Sequence, residues 1–349
     1  MGRPFETEIQ RINNTISWSL NQDVQDLRKL ILEHCDRPFY IIGSGGSFSA
    51  CIYAAELLQF NGFLAKAITP LSIHQNRIRI HKSNLIFISS SGKNTDIISS
   101  FENALSQDPN LTIGITLRAN SPLKKLAEKY SVARHFEYNL PAGKDGFLAT
   151  NSLVSFFTLL NQAISTEKSK EPYLDSIPMK EIATFARENA NRKSFIVLYG
   201  GWSYSVAVDL ESKFSEAALG NVLLSDYRNF GHGRHHWFDK QGEDSVIIVL
   251  STPSEERLAE KTVSLLPKNI PHLKLFVDDT SSNACITLLI QSFHFVNEIG
   301  KVKGIDPGRP GVPDYGSKLY NLKYKSLVRS YNRFPKKNHF AISRKVECI

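Results

Sequence analysis

The chain has 349 residues, of which 42% are hydrophobic and 22% are charged. This length and balance predict a globular protein with two domains of ordinary size. No apolar run reaches the roughly 18–20 residues that cross a bilayer, and the N-terminus lacks the apolar core of a signal peptide. The four cysteines are scattered and form no CxxC pair. We therefore expect a cytoplasmic protein with reduced thiols, without a membrane span and without a metal site.

The net charge of +8 comes from the C-terminal end of the chain. From Lys318 onward there are nine Lys or Arg and one acid, Glu347, so residues 1–317 are formally neutral. A basic tail of this kind can contact RNA, an acidic partner or a membrane surface, and we expect an acidic partner or nucleic acid rather than a membrane. The alternative is a solvated terminal extension that packs on a neighbouring subunit.

An N-terminal helical segment, residues 1–35, is followed by a region, residues 36–166, in which short apolar runs alternate with longer amphipathic stretches. The apolar runs are continuous, which is typical of parallel strands covered on both faces. The predicted strands are Phe39–Ile42, Leu85–Ser89 and Leu111–Thr116. The predicted helices are 48–60, 96–106, one opened by Ser121 and Pro122, and about 150–165. Residues 36–166 are therefore expected to form a first α/β domain.

The second half repeats this order after a linker, residues 167–192, which includes a helix. The predicted strands are Phe195–Tyr199, Val246–Leu250 and Leu273–Val277, and the predicted helices are 203–219, 254–266 and 284–300. Corresponding strands start 156, 161 and 162 residues apart, which indicates an internal duplication. We expect residues 193–304 to form a second domain, so that the fold is α/β with two tandem three-layer α/β/α units and parallel sheets. A C-terminal segment, residues 305–349, completes the chain.

The first predicted strand runs into the glycine-rich turn Gly43–Ser49 and then into an amphipathic helix. Gly45 and Gly46 let the backbone approach a ligand, the helix presents free N–H groups, and Ser47 adds a hydroxyl donor. The turn lacks the Gly-Lys-Ser/Thr of a Walker A loop, and Phe48 stands where the third glycine of the dinucleotide fingerprint belongs. It therefore predicts an anion site of another kind, the alternative being an ordinary turn.

The next predicted strand ends in a second hydroxyl-rich loop, Ser89–Thr95. This loop holds three serines, a glycine and a threonine before another helix start. In a parallel sheet both loops emerge at the carboxyl edge, where α/β proteins bind their ligands. Two such loops at one edge predict a site for a phosphorylated ligand.

Together the two loops resemble the SIS (sugar isomerase) family, whose pattern is a strand, a Gly-x-Ser turn, a helix, a strand and then Ser-x-Ser-Gly-x-Thr. The resemblance spans roughly residues 36–320 and is to tandem members, such as the isomerase half of glucosamine-6-phosphate synthases and the fructosamine deglycases. It implies a sugar phosphate held by the loops of the first copy. Lys93 and Asn94 stand where the family has an acid and a threonine. The phosphate-binding residues that the resemblance implies are Gly45, Gly46, Ser47, Ser89, Ser90, Ser91, Asn94 and Thr95.

The second copy has lost part of this pattern. Tyr199–Ser203 keeps the glycine turn, whereas Leu250–Ser254, the counterpart of the serine loop, lacks the glycine. We therefore expect one phosphate site per chain.

The resemblance also implies catalytic residues in the second copy. The family has Lys-x-x-Glu on a helix, a His sixteen residues after that Glu and a further Lys near the C-terminus, and Lys213, Glu216, His232 and Lys318 match this spacing. Glu216 is the expected base that moves a proton between C1 and C2 through an enediolate, and His232 is expected to open the sugar ring. Lys213 and Lys318 are expected to stabilise the oxyanion. In the family this histidine comes from the other subunit, which implies a homodimer with His232 donated across the interface.

The expected function is isomerisation of a phosphosugar, or deglycation or deamination of an amino-sugar phosphate, without a cofactor. Glucosamine-6-phosphate synthases carry a glutaminase cysteine at residue 2; this chain has Gly2, so we expect no glutaminase domain of its own and keep a partnered synthase as an alternative. His232, His235 and His236 suggest zinc as a further alternative, although no matched cysteine or acid pattern accompanies them. The alternative from another class is a non-catalytic SIS module that binds a sugar phosphate or nucleotide and regulates a partner.

Overall fold

The structure, a computed structural model, describes residues 2–76, 78–172, 174 and 177–328. The basic tail beyond residue 328 lies outside the described residues, and so does its predicted contact with nucleic acid or an acidic partner. Within the described residues the strands form two separate parallel sheets, each at the centre of one half of the chain.

The first sheet has five parallel strands: β1 (Phe39–Ile42), β2 (Ala65–Ile68), β3 (Asn84–Ile88), β4 (Leu111–Thr116) and β5 (Ala133–Glu137). Their order is β2-β1-β3-β4-β5. The three strands predicted from continuous apolar runs are confirmed as β1, β3 and β4, and β3 and β4 are buried along their whole length. The prediction missed β2 and β5, because these edge strands carry exposed charged residues such as Lys66 and Arg134 that interrupt an apolar run.

The second sheet has four parallel strands: β6 (Ser194–Tyr199), β7 (Asn221–Asp226), β8 (Ser245–Ser251) and β9 (His272–Phe276). Their order is β7-β6-β8-β9, which repeats the order of the first four strands of the first sheet. The three predicted strands are again confirmed, and the missed one, β7, is again an edge strand with alternating exposure. The shared order agrees with a duplication, which stays a prediction.

Helices surround the sheets. They are α1 (Phe5–Ile9), α2 (Ile12–Leu20), α3 (Gln25–Glu33), α4 (Gly46–Phe60), α5 (Pro70–His74), α6 (Thr95–Leu105), α7 (Pro122–Ala127), α8 (Asn151–Ile164), α9 (Met179–Asn189), α10 (Tyr204–Glu216), α11 (Tyr227–Gly231), α12 (Trp237–Gln241), α13 (Glu256–Ser264), α14 (Ala284–Lys303) and α15 (Asp314–Tyr320). Ile41 and Ile86 pack into one hydrophobic core, whereas their neighbours Ile42 and Phe87 pack into another. Because side chains alternate across a strand, the first sheet is covered on both faces.

The two halves share one hydrophobic core. The helix α4 packs on α10, and α8 packs on α14. The ring of Tyr53 in α4 stacks on Phe157 in α8 at 4.5 Å between centroids, and its hydroxyl contacts both Asn161 and the carbonyl of Ser282 at 2.9 Å. The carboxyl edges of the two sheets are therefore held in a fixed relation by packed helices.

Candidate functional site

The carboxyl edge of the first sheet forms a cleft of about 800 Å³ that both predicted phosphate loops line. The first loop contributes Ser47, and the second contributes Ser89, Ser90, Ser91 and Asn94. These loops follow β1 and β3, which are hydrogen-bonded neighbours in the sheet. The cleft therefore has a wall of hydroxyl, amide and backbone donors, which is the chemistry that a phosphate group requires.

Two glycines shape the first loop without lining the cleft themselves. Gly45 has a φ of 54°, in the region that favours glycine, and it immediately precedes α4. A Cβ on Gly46 would lie 2.4 Å from the Cβ of Ala149, so α4 can begin this close to the segment before α8 only with a glycine there. The turn places Ser47 in the first turn of α4, facing the cleft.

The three serines of the second loop differ in how they bond within the chain. The Ser89 hydroxyl oxygen accepts the N–H of Gly92, and the Ser91 oxygen accepts the N–H of Lys93, both at 3.2 Å. The Ser90 hydroxyl makes no hydrogen bond to the described residues. Because Ser89 and Ser91 act as acceptors, all three hydroxyl hydrogens remain able to point into the cleft.

Asn94 connects the second loop to a helix and to the C-terminal segment. Its side-chain oxygen caps α6 by accepting the N–H groups of Asp96 at 2.9 Å and Ile97 at 3.2 Å. Its amide nitrogen donates to the hydroxyl of Tyr320 at 3.3 Å, so the amide rather than the carbonyl faces the cleft. Thr95, also predicted to bind phosphate, lines a neighbouring groove under the C-terminal segment instead.

Three cations line the cleft: Lys93, Arg118 and Lys144. None of them forms an ion pair within the described residues. The one acid among the lining residues, Asp145, is engaged elsewhere, because its carboxylate accepts the N–H groups of Thr150, Asn151 and Ser152 at the start of α8, each at 3.0 Å. The cleft therefore has a positive potential. Arg118 and Lys144 were not predicted from the sequence. Arg118 follows β4 at the same carboxyl edge, so the rule that ligands bind at this edge, which located the serine loops, also applies to it.

Lys213 lies inside the protein rather than on the same exposed face as Glu216. Its ammonium group is 2.7 Å from the carboxylate of Asp209, one turn earlier in α10, and 4.6 Å from the centre of the Phe293 ring. Both partners of this pair are buried. Burial raises the pKa of Asp209 to about 6, although the ammonium of Lys213 acts in the opposite direction.

Glu216 is the last residue of α10 and is exposed, with one carboxylate oxygen accepting the Ser212 hydroxyl at 2.5 Å. The helices α4 and α10 run in opposite directions, because Ser49 near the start of α4 lies beside Asp209, while Glu56 farther along lies beside Ser205. The C-terminal end of α10, with Glu216, is therefore directed toward the end of α4 that carries the first phosphate loop.

His232 and Lys318 are both exposed to solvent. His232 follows α11, at the carboxyl edge of the second sheet. Lys318 lies on α15, two residues before Tyr320, whose ring lines the cleft. No hydrogen bond or ion pair joins Glu216, His232 and Lys318 to one another within the described part of the chain. The structure thus brings the predicted phosphate-binding serines together, whereas the predicted catalytic residues lie on three separate elements.

The described residues include no group of three or more His, Cys, Asp or Glu side chains arranged to hold a metal ion. The rings of His235 and His236 are 4.8 Å apart but have no third partner of this kind. Among the described helices, none is long and apolar enough to cross a membrane.

Comparisons with known proteins reveal similarity in structure but not in sequence. No protein-family profile matches the chain, and no curated protein matches it. Among solved structures, the C-terminal domain of glucosamine-fructose-6-phosphate aminotransferase from Francisella tularensis has a TM-score of 0.65 and 16% identity, over 86% of this chain and 96% of that one. Tagatose-6-phosphate ketose/aldose isomerase from Escherichia coli has a TM-score of 0.66 and 16% identity, over 90% of this chain and 98% of that one.

A third similar structure is glucosamine-6-phosphate deaminase from Thermotoga maritima, with a TM-score of 0.64 and 15% identity, over 88% of this chain and 97% of that one. At identities this low the likeness establishes the fold. The chain therefore has the α/β fold of these three structures, with parallel sheets, over most of its length.

Proposed function

We propose that the chain is a sugar-phosphate enzyme of the SIS type, either an aldose–ketose isomerase or an amino-sugar-phosphate deglycase or deaminase. The observation that carries the proposal is the cleft, which is lined by serine hydroxyls of two neighbouring loops and by three cations without ion-pair partners among the described residues. Similar structures with names that specify phosphosugar isomerisation or deamination support the same class.

The proposed organisation is a tandem repeat, with domains at residues 36–166 and 193–304, an N-terminal helical segment and a C-terminal segment. The matching strand order of the two sheets supports it. The serine loops of the first repeat hold the phosphate, which leaves C1 and C2 of the sugar toward the end of α10.

The proposed reaction moves a proton between C1 and C2 by way of an enediolate. Glu216 takes and returns the proton, because it is the exposed carboxylate at the end of α10 that is directed toward the first phosphate loop. His232 opens the ring, and Lys318, which is exposed on α15 near Tyr320, stabilises the oxyanion. Lys213 is hydrogen-bonded to Asp209, so in this scheme it acts through its contribution to the electrostatic potential at the site. His232 lies on a different element from Glu216 and from Lys318, which accords with a homodimer in which the partner subunit supplies it.

The test is exchange with solvent, followed by NMR, of the proton that moves between C1 and C2. This proton is on C1 of fructose 6-phosphate and fructosamine 6-phosphate, and on C2 of glucosamine 6-phosphate. We expect exchange with at least one of them and its loss in Glu216→Gln. Glu211→Gln is a matched control, because Glu211 lies on the same helix and accepts a serine hydroxyl in the same way, from Ser215 at 3.0 Å. Equal exchange in both variants would remove Glu216 from the mechanism.

A second candidate function is a non-catalytic module that binds a sugar phosphate and regulates a partner. The buried Lys213–Asp209 pair favours it, because an ammonium already bonded to a carboxylate is a weak oxyanion stabiliser. Tight binding of these sugar phosphates with no exchange on any of them would support this function and exclude the enzyme.

A further inference from the structure

A second cavity adjoins the serine-lined cleft. It has a volume of about 740 Å³ and shares Lys144, Asp145, Gly146 and Phe147 with the cleft. The two cavities, together named the groove, therefore adjoin at the segment 144–147, and the serine loops line only the first of them. This groove is longer than a single phosphate group needs.

Two guanidinium groups converge where the cavities meet. A Cβ on Gly143 would have a nitrogen of Arg3 at 3.6 Å and a nitrogen of Arg118 at 3.8 Å. Arg3 is held by the carbonyl of Ala142 at 2.6 Å and lies 3.6 Å from Glu8. Arg118 has no acceptor within the described residues, so its fork of N–H donors is available to a ligand.

The neighbouring charges add to this positive region. Lys144 lines both cavities and forms no ion pair with a described residue. The carboxylate of Asp145 accepts three N–H groups at the N-terminus of α8, and as a single negative charge it offsets only part of the positive charge of Arg118 and Lys144. Like charges held this close repel one another, and an anion bound between them relieves the repulsion.

Arg118 is also connected to the serine loop. The N–H of Leu117, the residue before it, donates to the carbonyl of Ser90 at 3.0 Å, so the loops after β3 and β4 run side by side. The backbone of Arg118 thus starts beside the serine loop, and its guanidinium group lies near Gly143.

We infer that the groove holds a second anion-binding position, formed by Arg118 and Lys144 beside Arg3, and that the ligand is a sugar phosphate with a second acidic group. That group is a phosphate or a carboxylate, both of which match the planar fork of an arginine. The inference rests on the proposed sugar-phosphate function and narrows its substrate class.

The test is isothermal titration calorimetry on the full chain with three probes. Fructose 6-phosphate has one acidic group, fructose 1,6-bisphosphate has two phosphates, and 6-phosphogluconate has a phosphate and a carboxylate. We expect at least one of the two doubly acidic probes to bind about tenfold more tightly than fructose 6-phosphate at low salt, and the better of them to identify the second group. Arg118→Gln and Lys144→Gln should each weaken binding of that doubly acidic probe by a larger factor than binding of fructose 6-phosphate, which removes most of the preference.

Arg187→Gln is the matched control, since Arg187 is an exposed arginine of α9 that lines neither cavity. The Arg118 side chain has no hydrogen-bond or ion-pair partner among the described residues, so thermal unfolding of Arg118→Gln should match that of the unmodified chain. Equal affinity for all three probes would overturn the second position and leave the proposed function intact. An equal loss of affinity for all three probes in Arg118→Gln would instead assign Arg118 to the binding site of the first phosphate. Failure of every probe to bind would overturn both proposals.

Discussion

The carboxyl edges of the two sheets have the same strand order but opposite chemistry. In the first half, the hydroxyls of the serine loop face a cleft with cations that have no ion-pair partner among the described residues. In the second half, the carboxylate of Glu255 lies against the glycine turn, where a Cβ on Gly201 would be 2.8 Å from its oxygen. The same carboxylate accepts the backbone N–H of Thr252 at 3.0 Å and its hydroxyl at 3.1 Å.

On the proposed duplication and phosphate site, one scaffold would bind an anion in one half and replace it in the other. Glu255 would then supply a negative group at the position where a repeat of the first loop holds a phosphate. Burial raises its pKa, and the bonds from Thr252 act in the opposite direction. The second half likewise pairs its buried lysine, Lys213, with Asp209. The first half leaves hydrogen-bond donors and cations open to a ligand. The second half pairs its donors and its buried cation with its own carboxylates.

The largest expected effect comes from breaking the buried pair of the second half. Lys213→Met leaves the Asp209 carboxylate buried without its cation, and we expect the free energy of unfolding to fall by about 3–5 kcal/mol in urea titrations. The matched variant Lys144→Met removes a cation of the first half that has no ion pair, so it should change stability by less than about 0.5 kcal/mol. A small loss of stability in Lys213→Met, equal to that in Lys144→Met, would contradict the contrast between the two halves.

Removal of the internal carboxylate should have the next largest effect. Glu255→Ala leaves the N–H and hydroxyl of Thr252 buried without an acceptor, which we expect to cost about 2 kcal/mol. Inorganic phosphate should recover part of this loss, seen as a rise in Tm with phosphate concentration that exceeds the rise for the unmodified chain. The control is Glu256→Ala, because the neighbouring Glu256 is more exposed and pairs with Lys274 instead. A phosphate response no larger than that of the control would show that Glu255 does not stand in for an anion.

The sequence predicts the centre of each sheet better than its edges. Strands such as β3 and β8 are buried throughout and have continuous apolar sequences, whereas β2, β5 and β7 are partly exposed and lack that pattern. The serine loops are predictable because strand, glycine turn and helix start occur together. Lys144 and Glu255 are not, since a single charged residue has no periodicity and its role depends on which loops the fold places beside it.

Glu56 lies between the two halves, on α4 facing α10, and makes the stability of the fold depend on pH. One of its carboxylate oxygens is buried without a hydrogen-bond partner among the described residues, and burial raises its pKa to about 8. The folded chain therefore keeps a proton on Glu56 that the unfolded chain releases above about pH 4.5, so this group makes stability fall as pH rises from about 4.5 to about 8. We expect Glu56→Gln to remove most of that fall, measured by urea unfolding at pH 5 and pH 8. An unchanged pH profile would place the Glu56 carboxylate in water.

The smallest expected effect on stability compares two serines at equivalent positions. The Ser90 carbonyl accepts the N–H of Leu117, and the Ser251 carbonyl accepts the N–H of Val277, so each serine bridges to the loop after the next strand. Ser90→Ala should leave stability unchanged within about 0.5 kcal/mol and weaken binding of fructose 6-phosphate about tenfold, because its hydroxyl lines the cleft. The Ser251 hydroxyl is buried without a partner among the described residues, so Ser251→Ala should be neutral or slightly stabilising and leave binding unchanged. If both variants weakened binding equally, ligand contact would extend to the second half, and Glu255 would not have replaced the anion there.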